Sequence, residues 1–245
     1  MIKVRLLIAL ICMVSLSQAD DDHTKMAAFS DAKPGSAIPP HWTLNTLPNV
    51  IRATHFELVR DETQVTVLQA VSEAAAATLT HKLQVDPVVS PLLSWRWKVS
   101  RVLESADLGQ KDGDDYAARV YVVFDYPLDK LPLADRVKVS IGRSLYGQEL
   151  PAASLCYVWD NRHLVGLSTW SAYTDRVRMI VVESGKQFAG QWRLEQRDVA
   201  ADFRAAFGEE APPIMGVALA ADTDNTGESV EAWFGDLNFS SSTIK

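Results

Sequence analysis

Asp114 and Asp115 stand directly ahead of Arg119 and Tyr121 in the segment Lys111-Asp112-Gly113-Asp114-Asp115-Tyr116-Ala117-Ala118-Arg119-Val120-Tyr121. Carboxylates grouped in this way can bind a cation, hold the arginine, or act as acid and base. Cleavage of a glycosidic bond needs two carboxyl groups about 5–10 Å apart across the substrate. Asp114 or Asp115 with Glu195 supplies a pair of the right type. Tyr121 or His163, beside arginines, would be the proton acceptor that a polysaccharide lyase requires. Asp115, Glu195 and Tyr121 are therefore the catalytic candidates. A salt bridge to Arg119 that orders the loop accounts for the same carboxylates without catalysis.

A second acidic cluster is Asp222-Thr223-Asp224-Asn225-Thr226-Gly227-Glu228. Oxygen ligands at positions 1, 3 and 5 with glycine at 6 match the first half of a calcium loop. Position 12 is Trp233 rather than a bidentate glutamate, so an EF-hand is excluded. Asp222 and Asp224 remain the metal candidates, for a structural calcium ion and no other cofactor. The simpler alternative is an Asx-rich turn between two strands.

The arginines are set by a period of two. Leu93-Ser94-Trp95-Arg96-Trp97-Lys98-Val99 and Gln191-Trp192-Arg193-Leu194-Glu195-Gln196-Arg197 alternate bulky apolar with polar side chains, as half-buried strands do. With Trp95, Trp97, Val120, Val122, Phe124, Trp192 and Leu194 inward, the other face receives Ser94, Arg96, Lys98, Arg119, Tyr121, Arg193, Glu195 and Arg197. Residues 176–183 add Arg176 and Arg178 if Val177, Met179 and Val181 point inward. Guanidinium forks suit carboxylate or sulfate groups. Of the seven tryptophans, Trp159 and Trp170 flank the loop Asp160-Asn161-Arg162-His163 and are the candidates for an exposed sugar-stacking surface. Arg96, Arg119, Tyr121, Arg193, Glu195, Arg197, Trp159 and Trp170 thus form the expected ligand-binding set. The same arginines paired with acidic neighbours on a solvated sheet would each be worth about 0–1 kcal/mol.

The elements that must carry these residues are mostly strands. Segments 54–59, 64–70, 78–83, 92–99, 117–125, 136–142, 154–159, 176–183, 190–197, 214–221 and 230–239 have strand character, separated by Gly, Pro, Asn and Asp turns. The clear helix is 198–207, with Asp198 as N-cap, Val199, Phe203 and Phe207 at four-residue spacing, and Gly208 as the stop. One short helix among about ten strands indicates an all-β, jelly-roll-like β-sandwich, expected over residues 51–241 and preceded by an extended, proline-rich segment at 20–50.

Lys3 and Arg5, the apolar run Leu6–Leu16 and the small residues Ser17 and Ala19 read as a secretory signal peptide over residues 1–19. The apolar run falls short of the roughly 20 residues that a membrane span needs, so no stable membrane insertion is expected. Cleavage after Ala19 leaves 22 basic against 31 acidic residues, a net charge of −9 in place of −7. That balance excludes nucleic-acid binding through overall charge. Only Cys156 then remains, in an apolar run, and no internal disulfide can form. A periplasmic or secreted location follows.

Several of these segments together resemble the exported bacterial proteins of the DUF3047 family. The resemblance is carried by Leu93-Ser94-Trp95-Arg96-Trp97, Asp114-Asp115-Tyr116 through Phe124, and Leu155-Cys156-Tyr157-Val158-Trp159. It continues through Gly190-Gln191-Trp192, Arg197-Asp198-Val199 and Asp202–Gly208, and closes with Asp222–Gly227 and Gly235-Asp236-Leu237. It implies no activity. The ending Phe234-Gly235-Asp236-Leu237 is also similar to the last strand of galactose-binding-like, jelly-roll carbohydrate-binding modules. The expected partner is a carbohydrate or another cell-envelope component, with two alternatives. One is a carbohydrate-active lyase or hydrolase; the other is an envelope protein that binds another protein.

Overall fold

The computed structural model describes residues 26–47, 50–133, 136–137 and 152–241. The expected signal peptide lies outside them. Among the described residues no helix is long and apolar enough to cross a membrane.

Two sheets stack face to face. Sheet A runs, in spatial order, β1 (Trp42–Thr46), β4 (Ala77–Val85), β11 (Ile214–Asp222), β6 (Tyr116–Phe124), β7 (Ser154–Asp160), β9 (Thr174–Ser184) and β8 (Ser168–Ser171). Sheet B runs β10 (Arg193–Asp198), β5 (Leu92–Val99), β12 (Ser229–Phe234), β3 (Thr66–Glu73) and β2 (His55–Arg60). A short β13 (Asn238–Ser240) continues beside β5 after a break at Gly235-Asp236-Leu237. The chain is therefore an all-β sandwich, as the alternating patterns require. Sheet A begins at Trp42, ahead of the expected domain start at residue 51, because β1 pairs with β4. Arg136 and Val137, expected in a strand, are helical, and 138–142 fall outside the described residues.

The core forms where the inner faces meet. Val120, Val122, Phe124, Leu155, Tyr157 and Trp159 of sheet A pack against Leu68, Leu93, Trp95, Trp97 and Phe234 of sheet B. Trp95 stacks on Tyr157 at 5.3 Å and meets Trp97 edge-on at 5.5 Å, a geometry aromatic pairs favour. A helix, α1 (Val199–Phe207), is closed at both ends as its sequence dictates. The Asp198 carboxylate accepts the Ala201 N–H at 2.9 Å, and Gly208 takes the left-handed conformation at φ 75°. Its Val199 and Phe203 are buried in the core.

Two strands differ from their expected orientation. On β9, Ile180 and Val182 face the main core, while Met179 and Val181 join Cys156, Val158, Tyr116 and Leu108 in a second apolar cluster on the outer side of sheet A. Both faces of β9 are covered, so its run Met179-Ile180-Val181-Val182 carries no alternation from which to read direction. On β10, Arg193, Glu195 and Arg197 lie opposite Trp97, Trp95 and Leu93 and share their inward side. Leu194 points out, 72% exposed.

Candidate functional site

The charged residues fall into three places. The first is the outer side of sheet A. Arg119 on β6 lies opposite Ala220 on β11, so its side chain reaches Asp222 two residues along. Its Nε donates to Asp222 Oδ1 at 2.8 Å, its Nη2 also pairs with that carboxylate, and Nη2 donates to the Asp114 carbonyl at 2.9 Å. Tyr116 covers the guanidinium at 4.5 Å and Tyr121 at 5.9 Å. Arg119 is 5% exposed. Asp115, fully buried, accepts from the Asn225 N–H and side-chain amide and from the Thr226 N–H at 2.7 Å. It fastens the 222–228 turn to the sheet. Gly113, just ahead, lets the chain at Asp107 pack closely on this loop, since a Cβ there would sit 2.7 Å from the Asp107 nitrogen.

Asp115, Asp222 and Asp224 bring carboxylate oxygens within 4.8 Å of one another. The donor set nevertheless fits a cation poorly. Arg119 holds Asp222, and loop donors hold Asp115, so the positive charge is already supplied by the protein. Burial, with Asp115 nearby, raises the pKa of Asp224. Cys156 lies beneath, its thiol pushed up by burial to about 12, and a thiol so disposed is inert.

The second place is the side of the sandwich, hereafter the lateral opening, where edge strand β10 of sheet B faces β9 and the edge strand β8 of sheet A. Arg193 pairs with Glu183 at 2.7 Å and lies 4.1 Å over the Phe188 ring. Arg197 holds the Asp202 carboxylate on α1 through Nε, at 2.9 Å, and Nη2; Tyr157 donates to the same carboxylate at 2.8 Å. Between them Glu195 accepts from the Trp97 indole N–H at 3.3 Å. Burial raises the Glu195 pKa to about 7, helped by Glu183; the indole N–H, Arg193 and Arg197 oppose the rise without cancelling it. Trp159 is fully buried behind this row, 5.9 Å from Trp97, and is no exposed platform.

The third place is the outer face of sheet B, which is open. Arg96 lies 4.2 Å from the centre of the Trp192 ring, and Lys98 sits 5.2 Å from Trp192 and 4.8 Å from Trp233. A cation over each indole, with Lys98 shared between two, makes a ladder from Trp192, just ahead of β10, across β5 to β12. Arg96 is held by Asp61 at 2.8 Å. Burial would raise the Asp61 pKa, but donation from the Thr63 hydroxyl, the Val65 N–H, Arg96 and the Thr63 N–H brings it to about 2. Arg96 also crosses Gly235, where a Cβ would meet its Cγ at 2.6 Å. Beside the ladder is a hollow of about 340 Å³ lined by Ser30, Ser94, Arg96, Asp236 and Asn238, with Val65, Trp95 and Leu194 as its apolar part.

The expected ligand-binding set is therefore divided. Arg193, Glu195 and Arg197 come together at the lateral opening, with Trp170 farther along the same edge. Arg119 and Tyr121 are enclosed with Asp115 on the outer side of sheet A, and Arg96 stands on sheet B. Asp115 and Tyr121 do not meet Glu195, so the three catalytic candidates form no common site. Sequence reasoning missed Trp233 as an outward residue, although Val230, Ala232 and Phe234 alternate with it into the core. It placed Trp192 on the wrong side because an edge strand can turn either face to the core.

The family described as "Protein of unknown function (DUF3047)" matches residues 40–238. Among curated proteins no sequence matches. Among solved structures, a family 12 xyloglucanase from Bacillus licheniformis in complex with ligand is 6% identical, with 85% of this chain and 96% of that chain covered and a TM-score of 0.44. The xyloglucanase domain of NopAA from Sinorhizobium fredii, in complex with cellobiose, is 8% identical over 86% and 99% of the two chains, with a TM-score of 0.39.

Proposed function

The chain belongs to the DUF3047 family, and from the geometry of sheet B we propose that it is an exported protein that binds a carbohydrate on that sheet's outer face. One observation carries the reading: the Trp192–Lys98–Trp233 ladder with Arg96, set beside a hollow of about 340 Å³. Indole surfaces pack on the C–H faces of a sugar ring. Arg96 and Asn238 offer donors and acceptors for its hydroxyls, while Asp236 is held by the Phe29 and Ser30 N–H groups and the Ser30 hydroxyl. The hollow is at the small end of ligand sites, which begin at about 300 Å³.

Retention on polysaccharide affinity gels tests this. Trp233→Ala and Arg96→Gln are expected to weaken retention by about tenfold or more while melting remains cooperative; retention equal to wild type in both removes the reading. An enzymatic alternative rests on Glu195, whose raised pKa suits a general acid near neutrality. Reducing ends released from polysaccharide and lost in Glu195→Gln would establish it. Burial of Tyr121, which raises its pKa, disfavours a lyase base there. Arg119 serves in place of a calcium ion, so calcium and chelator are expected to give the same melting temperature. Export is tested by N-terminal sequencing of the mature protein, which should begin at Asp20.

A further inference from the structure

We propose that Arg176 and Arg178, with Trp170 and Phe207, form a binding site for an oxyanion group, a carboxylate or a sulfate, at the lateral edge of the sandwich. The site is separate from the sheet B face and does not depend on it. The two arginines are alternate residues of β9 and so project to one side of the strand. Arg178 lies 4.9 Å from the centre of the Trp170 ring and Arg176 5.9 Å from that of Phe207, while the two rings meet edge-on at 5.3 Å. All four side chains are half-buried. They form a row: cation, ring, ring, cation.

Among the described residues these guanidinium groups differ from Arg193 and Arg197 in having no carboxylate within hydrogen-bond distance. Arg193 has Glu183 and Arg197 has Asp202. Among the described residues Arg178 bonds to Ser168, through Nε to Oγ at 2.6 Å and through Nη2 to the carbonyl at 3.0 Å. Arg176 has Asp175 at 3.6 Å, beyond hydrogen-bond reach, and that aspartate is mostly solvated. The Arg176 Nε is buried without a hydrogen-bond partner, which is rare for a charged donor. Of the two carboxylates just past α1, Glu209 is engaged by the Tyr126 hydroxyl at 2.7 Å and Glu210 by Arg204 at 3.3 Å. Each guanidinium carries five N–H donors; Ser168 takes the Nε and one Nη2 donor of Arg178, and the remaining Nη donors of the two arginines can converge on an oxyanion. Two such donor sets at alternate positions of one strand match a single acidic group whose carbon skeleton lies over Trp170.

Calorimetric titration of the full chain with trigalacturonic acid, its methyl ester and inorganic sulfate tests the site and separates the two oxyanion sources. The expected result is binding of the acid or of sulfate, weakened by added salt, with the methyl ester about tenfold weaker or worse. Arg178→Gln and, separately, Arg176→Gln should each reduce the binding by about tenfold, whereas Trp233→Ala should leave it unchanged. Should either arginine variant lose its cooperative melt, the other variant and the acid-to-ester comparison in the wild-type chain still decide. Failure of both acid and sulfate to bind, an ester that binds as well as the acid, or unchanged affinity in the folded arginine variants would overturn the proposal. None of these outcomes bears on polysaccharide retention through Trp233.

Discussion

Arg119 and Glu195 show how different the same kinds of side chain become once placed. Arg119 is a buried cation whose counter-charge, Asp222, is buried with it. Removing one partner of such a pair leaves a desolvated charge uncompensated. Arg119→Ala is therefore expected to cost about 3–5 kcal/mol of stability, read from urea unfolding, and to loosen the 222–228 turn. Glu195 is the opposite case, a carboxyl group whose surroundings favour its neutral form. Its pKa rises from 4.5 in the unfolded chain to about 7 when folded. Between those values the native protein keeps a proton that the unfolded chain has released, so stability falls as pH rises through this window. Glu195→Gln should flatten that dependence and melt higher than wild type at pH values above about 7. A variant whose melting temperature tracks wild type from acid to neutral pH would count against the placement of Glu195.

At the scale of elements, legibility followed the contrast between the two faces of each segment. The helix was readable because Asp198 and Gly208 are unambiguous ends and Val199 and Phe203 fix one buried stripe. Strand β5 was readable because Trp95 and Trp97 alternate with Arg96 and Lys98 across a real core boundary. Strand β9 was not, since both faces of its run Met179-Ile180-Val181-Val182 are apolar and covered. Strand β10 was misread because its inward residues meet counter-charges on neighbouring elements, Glu183 at the end of β9 and Asp202 on α1, which alternation along the strand itself does not display. No local pattern reports that. Strand β12 could have been read further than it was, with Trp233 assigned outward. The break between β12 and β13 is the element that places Arg96, because its first residue has no side chain. Gly235→Ala should push Arg96 off Trp192 and Asp61. Polysaccharide retention would then fall nearly as far as in Arg96→Gln; full retention in the glycine variant would mean that Arg96 does not need this seat.

For the molecule as a whole, composition excluded nucleic acid as a bulk electrostatic partner, and periodicity led to the sandwich. Neither could bring the arginines to one place, because that depends on which edges of the two sheets come together. The order of strands has one further consequence. In sheet A, β11 lies between β4 and β6, and in sheet B, β12 lies between β5 and β3. Both middle strands come from the last stretch of the chain. A polypeptide that stops before Ile214 has a gap at the heart of each layer and no means of joining the halves. A chain ended there should show no cooperative melt, and a sharp transition in such a fragment would contradict the topology. Pairings this distant in sequence also form slowly. The growing polypeptide must consequently stay loose until synthesis is almost finished, a state in which it can still be threaded through a narrow channel.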